Sequence, residues 1–411
     1  SRGLGDVYKR QAIIRHNIPV TPGPGLLFIK QASGEYTYIA SGLNGFLGLD
    51  TNLSVIDTFN TANGYLPDGH ELLINPDGGY TILGDTHNKR RDVGLSGGDS
   101  TADVIGNVIQ TFDRGHHLIF EWKGIDYYQV VDAVHENMSG HSIDFQHTNS
   151  IDLDQEGNYT ISNRNLSEIT MINGSNKKMI WRMGGVHNQF TLHGDTLGIS
   201  YQHCAKWLPK KPGQANRHLL LFDNGNYHKV AESRAVEYEI DETAKTATLV
   251  WEHHHTPPTF ALAMGSVDRM PNGNTFIGWG LSPDVAASEI LPDGSVTFEM
   301  QLPVHVFSYR TPKYPLLTAS VEAPSATPAF GLSPVVTASG EALDFITPSP
   351  TQVHIEVSDL LGRPVQQVFD GVSLGQPQRI TLRTAGVPAG VYYAALRTAS
   401  GTLVRPFVIA H

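Results

Sequence analysis

The sequence predicts an all-β protein, a six-bladed β-propeller followed by a small β-sandwich. Three observations lead there. A weak repeat of roughly 45 to 50 residues, the length of a propeller blade, runs through the first three quarters of the chain. The composition is turn-rich and poorly charged, with 41 Gly, 24 Pro and only 17% Asp, Glu, Lys and Arg, which suits sheets better than helices. Near Thr318 the composition shifts to Ala, Pro, Ser and Thr, the mark of an extended linker. At 411 residues the chain exceeds what one hydrophobic core usually serves, so two domains are expected. Their bounds are 12–317 for the propeller, 318–333 for the linker and 334–411 for the sandwich.

The chain begins Ser1-Arg2-Gly3 without methionine or an apolar leader segment, and reads as a fragment whose start is lost. Ser1–Gln11 fits no element. The clearest repeat unit is His147–Gly184. Alternating strands are expected at Asn149–Leu153, Asn158–Ser162, Glu168–Asn173 and Met179–Met183, separated by Gly- and Asn-bearing turns. The same turn chemistry recurs at Asn75–Tyr80 and Pro271–Thr275. Closing strands that carry an aromatic recur at Leu118–Gly124, Met179–Gly185 and Thr248–His254. Five units are clear between about Gly34 and Leu302. A sixth can be assembled from Phe307–Leu317 and an N-terminal strand near Leu26–Lys30. Packing such units around an axis buries faces that no single sheet can bury alone. A stack of sandwiches fits so regular a repeat less well. Beyond the linker, further alternating strands make up the terminal sandwich.

Several function classes fall away. The net charge of −11 invites neither nucleic acid nor an anionic membrane surface, so an anionic substrate needs a local positive pocket. No run of 18 apolar residues exists to span a bilayer. The single Cys204 cannot form an internal disulfide, so cysteine usage does not report the compartment.

The 19 histidines are the compositional oddity. His141 and His147 flank Phe145 ahead of the first strand of the central unit, and His203 holds the equivalent place one unit later. His255 lies before the next unit, while His228 and Arg234 follow the strand in "LLFDNGN". The start of each innermost propeller strand borders the axial channel, so residues at such places converge. Imidazoles with a guanidinium can bind a transition metal, hold an anion, or supply a nucleophile and acid for group transfer. The metal option is the weakest, because no HExxH spacing is present and adjacent residues in His253-His254-His255 point to opposite faces of a strand. For His70, His87, His187 and His193 a turn role is expected. His116 and His117 read as solvated, His218 as structural, and His305 has no assigned role.

In order, "HSIDFQHTNSIDLDQEGNYTISNRNLSEITMIN", "YQHCAKWLP", "LLLFDNGN", "SRAVEYEIDETAKTATLVWEH" and "AMGSVDRMPNGNTFIGWG" resemble successive segments of the bacterial arylsulfotransferases. The resemblance covers most of residues 135 to 310. It implies a six-bladed propeller that passes a sulfuryl group from an aryl sulfate donor to a phenolic acceptor through a sulfohistidine, with no cofactor. On the matching positions, His147 and His203 are expected as pocket histidines, Arg234 as an anion clamp and His255 as the nucleophile. His228, Asn149 and His141 are expected to contact substrate, and no metal is implied. The chain departs from the family pattern at "HHHTPPTF", which is short, and at Asn226-Tyr227-His228, where an arginine often follows "FDNG". Two other classes compete. One is a non-catalytic propeller that binds an aromatic or anionic ligand or a surface partner. The other is a hydrolase, sulfatase-like or metal-dependent, that uses water as acceptor.

The terminal block resembles the C-terminal sorting domain of type IX secretion. The resemblance rests on Asp359-x-x-Gly362-Arg363, on Ala389-Gly390-Val391-Tyr392 and on Arg405 in the final strand, with Pro406 where a lysine is usual. It implies contact with secretion machinery and an exported location: periplasm, cell surface or medium. An accessory sandwich is the second reading.

Overall fold

A computed structural model describes residues 25–40, 45–51, 54–89, 93–94, 98, 101–303 and 306–314, then 333–337, 340–345, 347, 350–359, 363–373, 378–388, 390–399 and 401–409. The linker at 318–332, Ser1–Gln11, His305, Gly362 and Ala389 lie outside the described residues, and so does the side chain of Arg405. Strands dominate, and the chain falls into two compact units, within Pro19–Tyr314 and within Pro315–His411.

Among the described residues five sheets make up the larger unit, each built on four consecutive antiparallel strands. Sheet I holds β1 (Gly25–Lys30), β2 (Tyr36–Ala40), β3 (Phe46–Leu49) and β4 (Val55–Phe59). Sheet II holds β5 (Leu66–Ile74), β6 (Tyr80–Lys89), β7 (Asp103–Phe112) and β8 (Leu118–Lys123), with β9 (Ser142–Asp144) pairing β7 in parallel. Sheet III holds β10 (Thr148–Leu153), β11 (Tyr159–Asn163), β12 (Glu168–Ile172) and β13 (Met179–Gly184). In sheet IV, β14 (Thr191–His193) lies parallel on the outer edge of β15 (His203–Trp207), β16 (Arg217–Asp223), β17 (Arg234–Asp241) and β18 (Thr246–His254). Sheet V holds β19 (Ser266–Arg269), β20 (Thr275–Gly278), β21 (Ala287–Ile290) and β22 (Val296–Met300).

The expected strands of the central unit differ from β10 to β13 by about one residue at their ends. The first unit differs more. The strand expected to help close a sixth unit is β1, which pairs β2 as the first strand of sheet I. Residues 306–314 form no strand.

Each apolar core lies between consecutive sheets. Leu27 and Phe46 of sheet I meet Leu72 and Tyr80 of sheet II, and Ile109 and Trp122 meet Ile151 and Ile161 of sheet III. Trp181 and Met183 meet Leu219 and Tyr238 of sheet IV, and Phe222 meets Val267 and Trp279 of sheet V. Both faces of an inner sheet are therefore covered by its neighbours, and burial of this kind is the main stabilising force. First strands lie beside first strands in the order β1, β5, β10, β15, β19. The segment 306–314 threads among them. Thr311 N–H donates to Ser266 Oγ at 3.1 Å, Arg310 Nη2 to the Asn149 carbonyl at 2.7 Å, and Lys30 N–H to Tyr314 Oη at 2.9 Å.

Four of the five first strands pair irregularly near the start. The register shifts at Gly25/Leu27, Pro67/Leu72, Thr148/Ser150 and His203/Lys206. A bulge bends its strand and re-aims side chains, so polar residues at these starts leave the ladder and face the centre.

The smaller unit has a three-stranded sheet and a four-stranded one. The first holds β23 (Ser333–Thr337), β24 (Gly340–Phe345) and β27 (Gln378–Leu382). The second runs β26 (Pro364–Ser373), β25 (Thr351–Ser358), β28 (Gly390–Thr398) and β29 (Gly401–Ile409). Leu343, Phe345 and Leu382 from one and Val353, Ile355 and Leu396 from the other share a core.

Candidate functional site

The starts of β5, β10 and β15 bring three histidines into one neighbourhood. His147 stands just before β10 with φ at +51°, a left-handed conformation uncommon for a residue with a β-carbon. Its Nδ1 donates to Asp144 Oδ2 at 2.5 Å, and Arg164 N–H donates to its carbonyl at 3.0 Å. The carboxylate fixes the tautomer and leaves the Nε2 lone pair open. Among the described residues nothing hydrogen-bonds that atom. The ring is 28% exposed, enough for a substrate to reach it.

His70, expected to be an ordinary turn residue, packs on His147. The rings meet edge to face with centroids 4.8 Å apart, and Tyr309 closes on His70 from another side at 5.4 Å. Its Nδ1 hydrogen-bonds Asp68. Burial alone would lower the His70 pKa, but the Asp68 charge and hydrogen bond prevail and hold it above the usual imidazole value. Asp68 shares Asn107 Nδ2 with Asp85, each at 3.0 Å. Burial and the Asp68 charge push the Asp85 carboxyl up to about 8, so this pair carries one proton at neutral pH.

His203 begins β15 and is 2% exposed. Asn224 donates through Nδ2 to the carbonyls of Ala261 and Met264, so its Oδ1 accepts from His203 Nδ1 at 2.7 Å. His203 Nε2 in turn accepts Met264 N–H at 3.2 Å. Burial, with the charge of Arg164 and of the two other histidines, drives its pKa well below the imidazole norm. His203 is thus a neutral ring with both nitrogens occupied. It ties sheet IV to the loop before sheet V. Gly265 (φ +115°) lies in that loop, and a β-carbon there would strike the Phe222 ring at 2.4 Å.

Arg164 lies over the Tyr201 ring at 4.3 Å, donates to Asn165 Oδ1 at 2.7 Å and to the Leu262 carbonyl at 3.3 Å. It supplies a guanidinium beside His147 that motif reading did not single out. Arg310 is also central, but the Glu71 carboxylate holds it in a bidentate pair at 2.9 and 2.8 Å.

The other expected residues lie elsewhere. Arg234 is 2% exposed and cannot clamp a substrate. Its Nε donates to Asp223 at 3.0 Å, Nη1 to Glu252 at 2.8 Å, and Nη2 to Asp195 at 2.9 Å and the Gly198 carbonyl at 2.7 Å. Three carboxylates consume its charge and forks. His255 follows β18, the outermost of the four consecutive strands of sheet IV. Its Nδ1 meets the Pro257 carbonyl at 2.6 Å and its Nε2 meets Glu299 of β22 at 2.5 Å. Both ring nitrogens are therefore engaged away from the cluster, which leaves no lone pair for a nucleophile. Asn149 is fully buried and donates to the Gln202 carbonyl at 2.7 Å, stitching β10 to β15. His141 is exposed on the approach to β9. His228 lines a cleft between sheets III and IV.

His70 escaped notice because a break in pairing over residues 68–71, not a motif, aims it at the centre. The signal available was its place at the start of a first strand, beside Asp68. Arg164 sits in the β11–β12 turn, where an arginine looks solvated.

Among the described residues no group of three His, Cys, Asp or Glu could hold a metal ion, and no helix is long and apolar enough to cross a membrane. The sequence profile of arylsulfotransferase (ASST) matches residues 26–310. No curated protein matches the sequence. Among solved structures, a protein of unknown function from Bacteroides caccae is 11% identical with a TM-score of 0.42, over 68% of this chain and 82% of that one. The virginiamycin B lyase of Staphylococcus aureus, with quinupristin, is 11% identical with a TM-score of 0.39, over 96% of this chain and 99% of that one.

Proposed function

Because the chain belongs to the arylsulfotransferase family, we propose that it moves a sulfuryl group from an aryl sulfate to a phenol, with His147 as nucleophile. The single observation that carries the assignment is the open Nε2 of His147, opposite an Nδ1 pinned by Asp144. Of the histidines expected to act, His203 and His255 have both nitrogens engaged.

In the first half-reaction the Nε2 lone pair attacks sulfur in line, the S–O bond to the aryl group breaks, and a phenolate leaves. Sulfuryl transfer, like phosphoryl transfer, runs through a loose transition state in which positioning and charge stabilisation do most of the work. The cationic His70 ring and the Arg164 guanidinium are the groups placed to cradle the sulfuryl oxygens. In the second half-reaction the acceptor oxygen attacks sulfur, the S–N bond breaks, and the lone pair returns to His147. The acceptor proton passes to solvent or to the departing donor phenolate. The donor is already activated, so the chemistry asks for no adenylylated cofactor.

The wider organisation follows the same reading. The propeller domain spans 12–317 and carries the five described sheets as five of its six units. The block 334–411 after the linker is a sandwich that directs export through secretion machinery, placing the enzyme outside the cytoplasm.

The test is rapid mixing with 4-nitrophenyl sulfate and no acceptor, an acid-free quench and peptide mapping. One sulfonated histidine is expected, on the peptide containing His147 and absent from His147→Ala. Sulfonation at His255, or nitrophenolate release independent of any phenol, overturns the assignment.

A further inference from the structure

Between sheets III and IV lies an open cleft of about 250 Å³, with Asn165 on its wall next in sequence to Arg164, whose backbone N–H donates to the His147 carbonyl. Four exposed large apolar side chains line it: Val134 (60%), Val186 (51%), Leu197 (50%) and Tyr227 (51%). Singly exposed apolar residues need no explanation, but a cluster around a concavity marks a place where something apolar sits. One side is a rigid plate, Tyr227 stacked on His135 with centroids 3.5 Å apart and planes 4° from parallel. Drug-sized ligands take roughly 300–1,000 Å³, so this cleft suits a single substituted ring.

Its polar residues are few. Asn165 lines the cleft and also accepts from Arg164 Nη1 at 2.7 Å, while its Nδ2 donates to the Asp144 carbonyl at 2.6 Å. One carboxamide thus joins the cleft to both the guanidinium and the residue that pins His147. The side chain of His228 is 6% exposed, and its Nε2 is buried without a hydrogen bond; the nearest carboxylate oxygen, on Asp223, is 3.6 Å away. Tyr227 further meets Tyr201 edge-on at 4.8 Å, under the Arg164 guanidinium.

We infer that this cleft seats the aromatic ring of the acceptor phenol, with the hydroxyl at the Asn165 end, facing Arg164 and His147. The apolar walls hold the ring and the Asn165 end sets its direction. The inference rests on the sulfuryl-transfer reading for its purpose, but ring binding is measurable without turnover.

The probe is 2-naphthol, titrated by fluorescence into the full chain without donor. Wild type binds it. Leu197→Trp and Val186→Trp, each filling the cleft from a half-exposed wall, weaken binding at least tenfold with the melting temperature unchanged. In steady state both raise the acceptor KM at least tenfold and slow the donor-only sulfonation burst, because the leaving ring and the acceptor ring take the same in-line position opposite His147 Nε2. His147→Ala abolishes the burst and leaves naphthol affinity unchanged. If naphthol binds wild type and both filled variants equally, or fails to bind wild type, the cleft assignment falls whatever the turnover. If the filled variants lose naphthol while wild type shows no sulfonation, the cleft stands and the transferase reading falls.

Discussion

His70 and His147 meet edge to face at 4.8 Å, each anchored through Nδ1 by its own carboxylate, Asp68 and Asp144. The two rings play different parts because their surroundings differ. Asp68 raises the His70 pKa above the usual imidazole value, whereas Asp144 is 38% exposed and His147 is partly open to solvent.

The charge on His70 is expected to appear in the pH–rate profile. Its raised pKa moves loss of the imidazolium proton to higher pH, so turnover falls on the alkaline side as that proton is lost. His70→Gln can keep a hydrogen bond to Asp68 but not the charge. We expect kcat to drop by about 10²–10³, the cost of one preorganised donor, with the alkaline limb gone. Assays with 4-nitrophenyl sulfate and phenol from pH 6 to 10 decide it; an unchanged limb in the variant speaks against the role.

His203 sets an acid limit on stability. Its folded pKa is depressed well below the ordinary value of about 6.5. The unfolded chain therefore takes up a proton near that pH while the native protein does not, and stability falls as the pH drops through the window beneath it. His203→Gln is expected to be less stable at pH 8, yet to lose less on going to pH 5. Urea midpoints at the two pH values check the slope.

Asp85 acts at the other end. Raised to about 8, its carboxyl is protonated in the fold and ionised in the unfolded chain near neutrality. Its stabilising contribution is full below the ordinary carboxylate pKa of about 3.9 and is lost as the pH climbs to about 8. Asp85→Asn should therefore gain in melting temperature over wild type as pH rises, and gain nothing at pH 4. A constant offset across that range would refute the protonation state.

Arg234 is a keystone of packing. Arg234→Met leaves Asp223, Asp195 and Glu252 facing one another with the first two buried, and should cost about 3–5 kcal/mol. Adding Asp223→Asn and Asp195→Asn should recover part of that loss. Chemical denaturation of the single and triple variants tests it, and full stability in Arg234→Met would remove the network from any structural account.

The strands of sheet III and their turns were legible because alternation and Gly- or Asn-bearing turns are local signals. The convergence of His147 with His203 was partly legible, since both precede first strands. Arg234 was not, because its three carboxylate partners lie 11, 18 and 39 residues away and no spacing announces them. His255 misled through its nearness in sequence to the next sheet. The chain must travel from the outermost strand of one sheet to the innermost strand of the next, and His255 stands at the start of that crossing while Ser266 stands at its end. His70 was hidden by a shift in pairing that only the folded ladder reveals.

The irregular first-strand starts carry a consequence for how such a scaffold changes its chemistry. Each bulge confines a change of aim to between one and four residues, while the regular pairs beyond it, such as Ile151 with Ile161 and Asp152 with Thr160, keep their partners. Lengthening or recomposing one start alters a single spoke of the central cluster and leaves its neighbours in place. Selectivity for new esters can then be tried sheet by sheet, at 67–71, 147–149 or 203–205, as separate modules sharing one hub.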